Sequence, residues 1–222
     1  MENGAFYISS VQAILSSKNR LSGKISLYEM PEYSGFEIDE PEDWKIVEGL
    51  LLRHLSPLRK NYSQIKLFLS DVDGVMTDAG MYYSAEGDTL KKFHTQDGMG
   101  LHLLQEKGIK VGVVTGENTP IVSRRAEKLK LDFVHIGIKD KLPVVRKICS
   151  DLNIGLENVA YIGDDINDIE VLRSVGFAAC PQNAVSAVRH LPEVFRLSKS
   201  GGEGVVREWI DFILNQISET KV

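Results

Sequence analysis

The sequence predicts an α/β fold, a doubly wound parallel sheet with helices on both faces. Three observations predict it. From residue 65 onward, short apolar runs alternate with amphipathic stretches of helical period. The apolar runs are nearly continuous, as suits strands covered on both faces. Several of them end in carboxylates or a hydroxyl, at the strand ends where open α/β sheets hold their ligands.

Taken in order, IKLFLS (65–70) is the first strand. DGMGLHLLQEKG (97–108) reads as a helix with Asp97 as N-cap and Gly108 as its stop. IKVGVVT (109–115) is the next strand, and NTPIVSRRAEKLKL (118–131) a helix with Pro120 at its first position. DFVHIG is a strand, KDKLPVVRKICSDLN a helix, NVAYIGDD a strand ending in carboxylates, INDIEVLRSVG a helix and FAACP a short strand. Between Asp73 and Asp97 only GMYYSAEGDTLKKFH intervenes, which reads as a β-hairpin around an EGD turn and leaves no room for a cap domain.

Composition excludes several function classes. The chain has 222 residues, 43% hydrophobic and 26% charged, as in ordinary globular proteins. Its longest apolar run is far short of the ~20 residues of a membrane span, so no membrane role is expected. A formal charge of −5 lacks the basic surplus of a nucleic-acid binder, and no nucleic-acid partner is expected. MENGAFYISS lacks the basic and apolar regions of a signal peptide, which predicts a cytoplasmic protein. Cys149 and Cys180 have no CxxC spacing and read as buried reduced thiols. The five histidines show no ligand spacing.

Chemistry concentrates in LFLSDVDGVMTDAG (67–80). Asp71 and Asp73, two apart at a strand end, aim to one side of the sheet, and close carboxylates repel unless a cation or proton intervenes. Magnesium takes oxygen ligands and commonly keeps a phosphate oxygen among them, so Asp71, Asp73 and Asp164 of YIGDD form a sensible shell. A carboxylate beside such an ion can attack phosphorus while a neighbouring acid protonates the leaving alcohol.

DVDGVMT at Asp71, the strand ending in Thr115, Lys141 near a helix start and GDDINDIEVL at Asp164 follow one another as do the four motifs of the haloacid dehalogenase-like phosphatases. The chain resembles that family, and more closely its branch acting on 3-deoxy-2-keto sugar acid phosphates. DGVMTDAGMYYS, EGDTLKKFHTQDGMGLHLL and GGEGVVREWIDFIL carry the closer likeness, over residues 65 to about 215. The resemblance implies a Rossmannoid core, with Asp71 as nucleophile and metal ligand. Asp73 would be general acid and base, ligating metal through its carbonyl. Thr115 and Lys141 would hold the phosphoryl group and Asp164 would complete the metal site. Asp165 and Asp168 would orient metal waters or Lys141, although Asp168 could equally cap its own helix.

The branch also implies a homotetramer in which a neighbour's hairpin and glycine-rich tail close over an open site. SKSGGEGVVREW fits such a flexible tail, and Arg207 is a candidate for an anionic substrate or an ordinary surface arginine. Octulosonate phosphatases usually carry arginine where the TGENT loop has Glu117. A glutamate there repels a substrate carboxylate and can accept hydrogen bonds from hydroxyls of a longer sugar. Gly116 and Glu117 are therefore candidate substrate contacts, and TGE resembles relatives acting on nine-carbon acid 9-phosphates. Lys128 is a candidate partner for Glu117 or substrate, or else a solvated helix lysine.

Residues 1–55 differ in character. ENGAFYISSVQAIL, SGKISLYEMP and FEIDEPEDWKIVEGLL resemble the carboxyl-terminal part of the catalytic domain of CMP-acylneuraminate synthetases, without that family's glycine- and basic-rich nucleotide loop. Asp39 matches a metal-binding aspartate of that family and is expected to be idle here. Residues 56–64 have linker composition, leaving 65–222 as the phosphatase domain. The expected function is magnesium-dependent hydrolysis of a nine-carbon 2-keto-3-deoxy sugar acid phosphate. The alternatives are the eight-carbon octulosonate 8-phosphate, a phosphatase of broad specificity, and a non-catalytic oligomerisation module like that of vertebrate CMP-sialic acid synthetases.

Overall fold

The computed structural model describes residues 7–30, 32–55, 60–85 and 87–219. They divide into two compact units, one up to Leu50 and one from Leu51 onward. The first carries helix α1 (Val11–Ser17) and the start of α2 (Asp43–Leu55). Ser10 caps α1, its hydroxyl accepting from the Ala13 amide, and Lys18 ends it with φ +53°. The Asp43 carboxylate accepts from the amides of Asp39 and Glu40, which folds the acidic loop onto the start of α2. Among its described residues with assigned exposure none is fully buried. Val11 and Leu15 are each 73% exposed and Leu27 is 95% exposed.

The second unit is built on six parallel strands in the order β5-β4-β1-β6-β7-β8. These are β1 (Leu67–Ser70), β4 (Lys110–Val114), β5 (Phe133–His135), β6 (Val159–Ile162), β7 (Phe177–Cys180) and β8 (Val194–Arg196). The antiparallel pair β2 (Tyr82–Ser84) and β3 (Gly87–Leu90) forms the inserted hairpin. Crossovers run through α3 (Thr95–Glu106), α4 (Pro120–Leu129), α5 (Lys141–Leu152), α6 (Ile169–Ser174) and α7 (Ser186–Arg189), and α8 (Val205–Glu219) closes the fold. The α/β reading is therefore correct, including the hairpin. The hairpin turns earlier than an EGD turn: Gly87 and Asp88 belong to β3, and Glu86 lies outside the described residues. β8, α7 and most of α8 are additions to the sequence reading.

Successive residues of β1 enter opposite cores, as strand geometry dictates. Phe68 joins Leu101, Leu104, Trp209 and Ile210 on the α3/α8 side. Leu67 and Leu69 join Val145, Ile148, Val171 and Leu172 on the α5/α6 side. Of the stretch read as a linker, residues 56–59 lie outside the described residues, while Tyr62 is only 2% exposed and packs on Phe177 and Phe212. Cys149 and Cys180 are buried and free. No helix among the described residues is long and apolar enough to cross a membrane.

Asp97 does not cap α3. The helix starts two residues earlier, behind His94, and Asp97 lies buried in its first turn. Its Oδ1 accepts the Arg207 amide of α8 at 2.8 Å, so it serves another helix's unpaired donors instead of its own. The glycine-rich tail before α8 is packed, not loose. The Gly202 amide donates to Val75 O at 3.0 Å and the Gly201 amide to Asn183 Oδ1 at 2.9 Å. A Cβ at Gly201 would collide with the Gly74 carbonyl, so only glycine lets this segment approach the loop after β1.

Candidate active site

Register places the site. Ser70 of β1 pairs with Val113 of β4 on one side and Ile162 of β6 on the other, so Asp71, Thr115 and Asp164 leave adjacent central strands at one level. The chain then turns at once, with the Thr77 amide donating to Val72 O at 3.0 Å. Gly74 turns with φ +84°, and a Cβ there would collide with the Asp164 carboxylate.

Lys141, at the first position of α5, is the buried centre of the arrangement. Its Nζ lies 2.9 Å from Asp71 Oδ2 and 2.7 Å from Asp168 Oδ1. Burial opposes its charge, but the two carboxylates outweigh that and raise its pKa. Asp168 is fully engaged: Oδ1 accepts from Lys141 and from the Tyr161 hydroxyl at 2.6 Å, and Oδ2 from the amides of Asp164 at 3.0 Å and Asp165 at 3.2 Å. With four donors it orients Lys141 and has no lone pair left to offer a cation.

Carboxylate oxygens of Asp71, Asp164 and Asp168 lie within 4.8 Å of one another, and with the Asp168 oxygens taken by donors, Asp71 and Asp164 are the two of the three that could hold a metal ion. Asp164 Oδ1 is buried without a partner among the described residues, as is Asp73 Oδ2. Burial, then the charge of Asp168, pushes the Asp71 carboxyl up to about 7, against the opposing pull of Lys141. Burial, then the charges of Asp71, Asp168 and Asp165, pushes Asp164 up to about 8. An all-oxygen set of mutually repelling carboxylates with an unpartnered buried oxygen fits a hard divalent cation.

The other expected residues divide. Thr115 is 1% exposed, its amide bonded to His135 O and its hydroxyl oxygen accepting the Glu117 amide at 3.4 Å. Gly116 is exposed in the same loop. Asp165 is exposed and its Oδ1 accepts from the Ile166 amide, capping the turn that follows, while its own amide donates to Asp168 Oδ2. Lys128 is exposed on α4, and Glu117 is paired instead with Lys91, 2.8 Å away. Arg207 is not brought to the cluster: its Nε donates to Asp211 one turn along α8.

Three contributors escaped the sequence reading. Tyr161 looks like any strand residue, although a buried tyrosine hydroxyl requires a partner. Thr77 and Lys91 both reach Asp73 Oδ1, at 3.2 and 2.5 Å. Lys91 follows directly on β3, and its side chain is only 2% exposed. Nothing in KKFH distinguishes it from its solvated neighbour Lys92, which is 61% exposed.

Comparison with known proteins adds to this geometry. Residues 99–176 match the family model of the haloacid dehalogenase-like hydrolases. The chain is 32% identical over 169 residues to the 3-deoxy-D-manno-octulosonate 8-phosphate phosphatase KdsC of Haemophilus influenzae, covering 74% of this chain and 91% of that protein. It is 29% identical over 220 residues to N-acylneuraminate cytidylyltransferase B of Danio rerio, covering 96% of this chain and spanning about half, 51%, of that relative's length. The 3-deoxy-D-manno-octulosonate 8-phosphate phosphatase of Moraxella catarrhalis, solved with magnesium, phosphate and KDO, superposes with a TM-score of 0.71 at 34% identity, covering 76% of this chain and 96% of that one. Strand ends that gather carboxylates around a buried lysine, on a fold that takes in nearly the whole of a sugar acid phosphatase and about three quarters of this chain, place this chain among the haloacid dehalogenase-like phosphatases of the KdsC type.

Proposed function

We propose that the second unit is a magnesium-dependent phosphomonoesterase of 2-keto-3-deoxy sugar acid phosphates, preferring a nine-carbon acid 9-phosphate. The observation that carries the chemistry is Lys141 shared between Asp71 and Asp168, with the unpartnered Asp164 oxygen beside them. Asp71 attacks phosphorus and the ester P–O bond breaks. Asp73 gives its proton to the departing alkoxide, then takes one from the water that cleaves the aspartyl phosphate and releases inorganic phosphate. Lys141 and Thr115 hold the phosphoryl oxygens. Asp71, Asp164 and the Asp73 carbonyl would hold magnesium, which supplies positive charge against the phosphoryl oxygens and the clustered carboxylates.

Glu117 supports the nine-carbon preference. Paired with Lys91 at the loop after β4, it presents an acceptor for hydroxyls where the branch usually presents arginine for a carboxylate. The eight-carbon acid is the second reading, favoured by the relatives' own substrate. The branch resemblance extends the proposal to a cytoplasmic homotetramer, supported by the apolar exposure of the hairpin, where Tyr83 is 65% and Leu90 66% exposed. We further propose that residues 1–55 are the tail of a cytidylyltransferase-like domain joined through 56–64 to the phosphatase, supported by the match that runs through both units.

Phosphate release from 2-keto-3-deoxynononic acid 9-phosphate, N-acetylneuraminic acid 9-phosphate and 3-deoxy-D-manno-octulosonate 8-phosphate, with magnesium and with chelator, tests the reading. Magnesium-dependent release favouring a nine-carbon acid is expected. Preference for the eight-carbon acid refutes the role of Glu117 and leaves the phosphatase standing. Absence of release from all three refutes the sugar acid reading in favour of an oligomerisation module or another phosphate ester.

A further inference from the structure

The hairpin brings a cation to the site from within its own chain. Lys91 Nζ sits 2.5 Å from Asp73 Oδ1 and 2.8 Å from Glu117 Oε2, with the side chain 2% exposed. Thr77 Oγ1 donates to the same Asp73 Oδ1 at 3.2 Å. The other oxygen, Oδ2, is buried and has no partner among the described residues. One face of the Asp73 carboxyl is thus pinned by two donors while the other is left for a reacting group.

From this geometry we infer that Lys91 is a positioning residue for the general acid, holding Asp73 Oδ1 so that Oδ2 is the atom that gives and takes the proton. Glu117 Oε2 pairs with the same ammonium, so Lys91 is tied to the acid and is not free to follow the substrate. A mis-set acid fails most where the leaving group most needs a proton. The inference rests on the phosphatase reading with Asp73 as acid.

The test compares wild type, Lys91→Met and Thr77→Val on two kinds of ester. A sugar acid phosphate from the panel above has an alkoxide leaving group, whereas 4-nitrophenyl phosphate releases a stable anion. Both variants are expected to lower kcat more than they change KM, and to reduce the alkyl-to-aryl rate ratio about tenfold or more, within the range of general acid catalysis. Circular dichroism checks folding, and if Lys91→Met does not fold, Thr77→Val decides the matter. Equal losses on both esters, or a raised KM with unchanged kcat, overturn the inference and leave the phosphatase reading intact. A wild type inactive on both esters overturns the phosphatase reading, and this inference with it.

Discussion

Lys141→Met removes the one cation among the described residues that touches both Asp71 and Asp168. The Nζ contacts are 2.9 and 2.7 Å, and the lysine side chain and the Asp168 side chain are wholly inaccessible. Breaking a buried pair by deleting one partner costs about 3–5 kcal/mol, because the remaining charge is stranded. In a domain of this size each kcal/mol moves the melting temperature by about 2–4 °C, so a fall of roughly 6–20 °C is expected at pH 8. The pH dependence has a definite sign. Asp71 and Asp164 sit at about 7 and about 8, above their ordinary 3.8. Carboxyls raised in this way favour the fold most below their unfolded value and lose that contribution as pH rises through the folded values. Removing Lys141 raises Asp71 further, so the gap between wild type and variant widens from pH 5 to pH 8. Melting followed by circular dichroism in chelator at both pH values measures it. A gap under about 2 °C at pH 8, or the same gap at pH 5, refutes the assignment of Lys141 as the counter-charge of the cluster.

Other substitutions test separate parts of the site. Asp71→Asn is expected to abolish phosphate release while leaving the circular dichroism spectrum intact; measurable turnover eliminates Asp71 as nucleophile. Gly74→Ala must put a Cβ at φ +84° and into the Asp164 carboxylate, so it should raise the magnesium concentration for half-maximal rate about tenfold or more; an unchanged magnesium titration contradicts a metal role for Asp164. Asp97 is 0% exposed, and burial pushes its carboxyl up to about 6 despite the Arg207 amide bond. Its contribution to stability is complete below the ordinary carboxylate value and lost as pH rises through 6, a loss on the order of 2–3 kcal/mol. Asp97→Asn keeps an acceptor for Arg207 but cannot ionise, so urea unfolding at pH 4.5 and 7.5 should show a smaller decline than wild type; parallel declines remove Asp97 as the cause.

Local signals made the fold and the core of the site legible in the sequence. Nearly continuous apolar runs, helical amphipathicity and Pro120 at a helix start are properties of neighbouring residues, and they identified β1, β4 to β7 and the intervening helices. Because parallel strands share a direction, a carboxylate just past a strand end is placed by the sheet itself. Asp71, Asp164 and Thr115 therefore belong to one rim on sequence grounds alone. Lys141 and Asp168 were expected from motif order, and the structure supplies the reason they are needed, one buried ion pair shared with Asp71.

The remaining choices depend on contacts far apart in the chain. Lys91 and Lys92 are equivalent in composition, and only the path of the hairpin makes one the buried partner of Asp73 and Glu117 and leaves the other in solvent. Glu117 could as well have met Lys128; it meets Lys91 instead, and Lys128 stays exposed on α4. Arg207 pairs along α8, Asp97 bonds the start of that helix, and the glycines before it lie against the loop after β1 because no side chain would fit between. The sequence by itself determined the alternation of elements and which acids stand at strand ends, since both follow from short-range geometry. Only the tertiary structure decided which cation faces which acid, since buried pairing is settled by three-dimensional proximity and by the cost of leaving a charge alone.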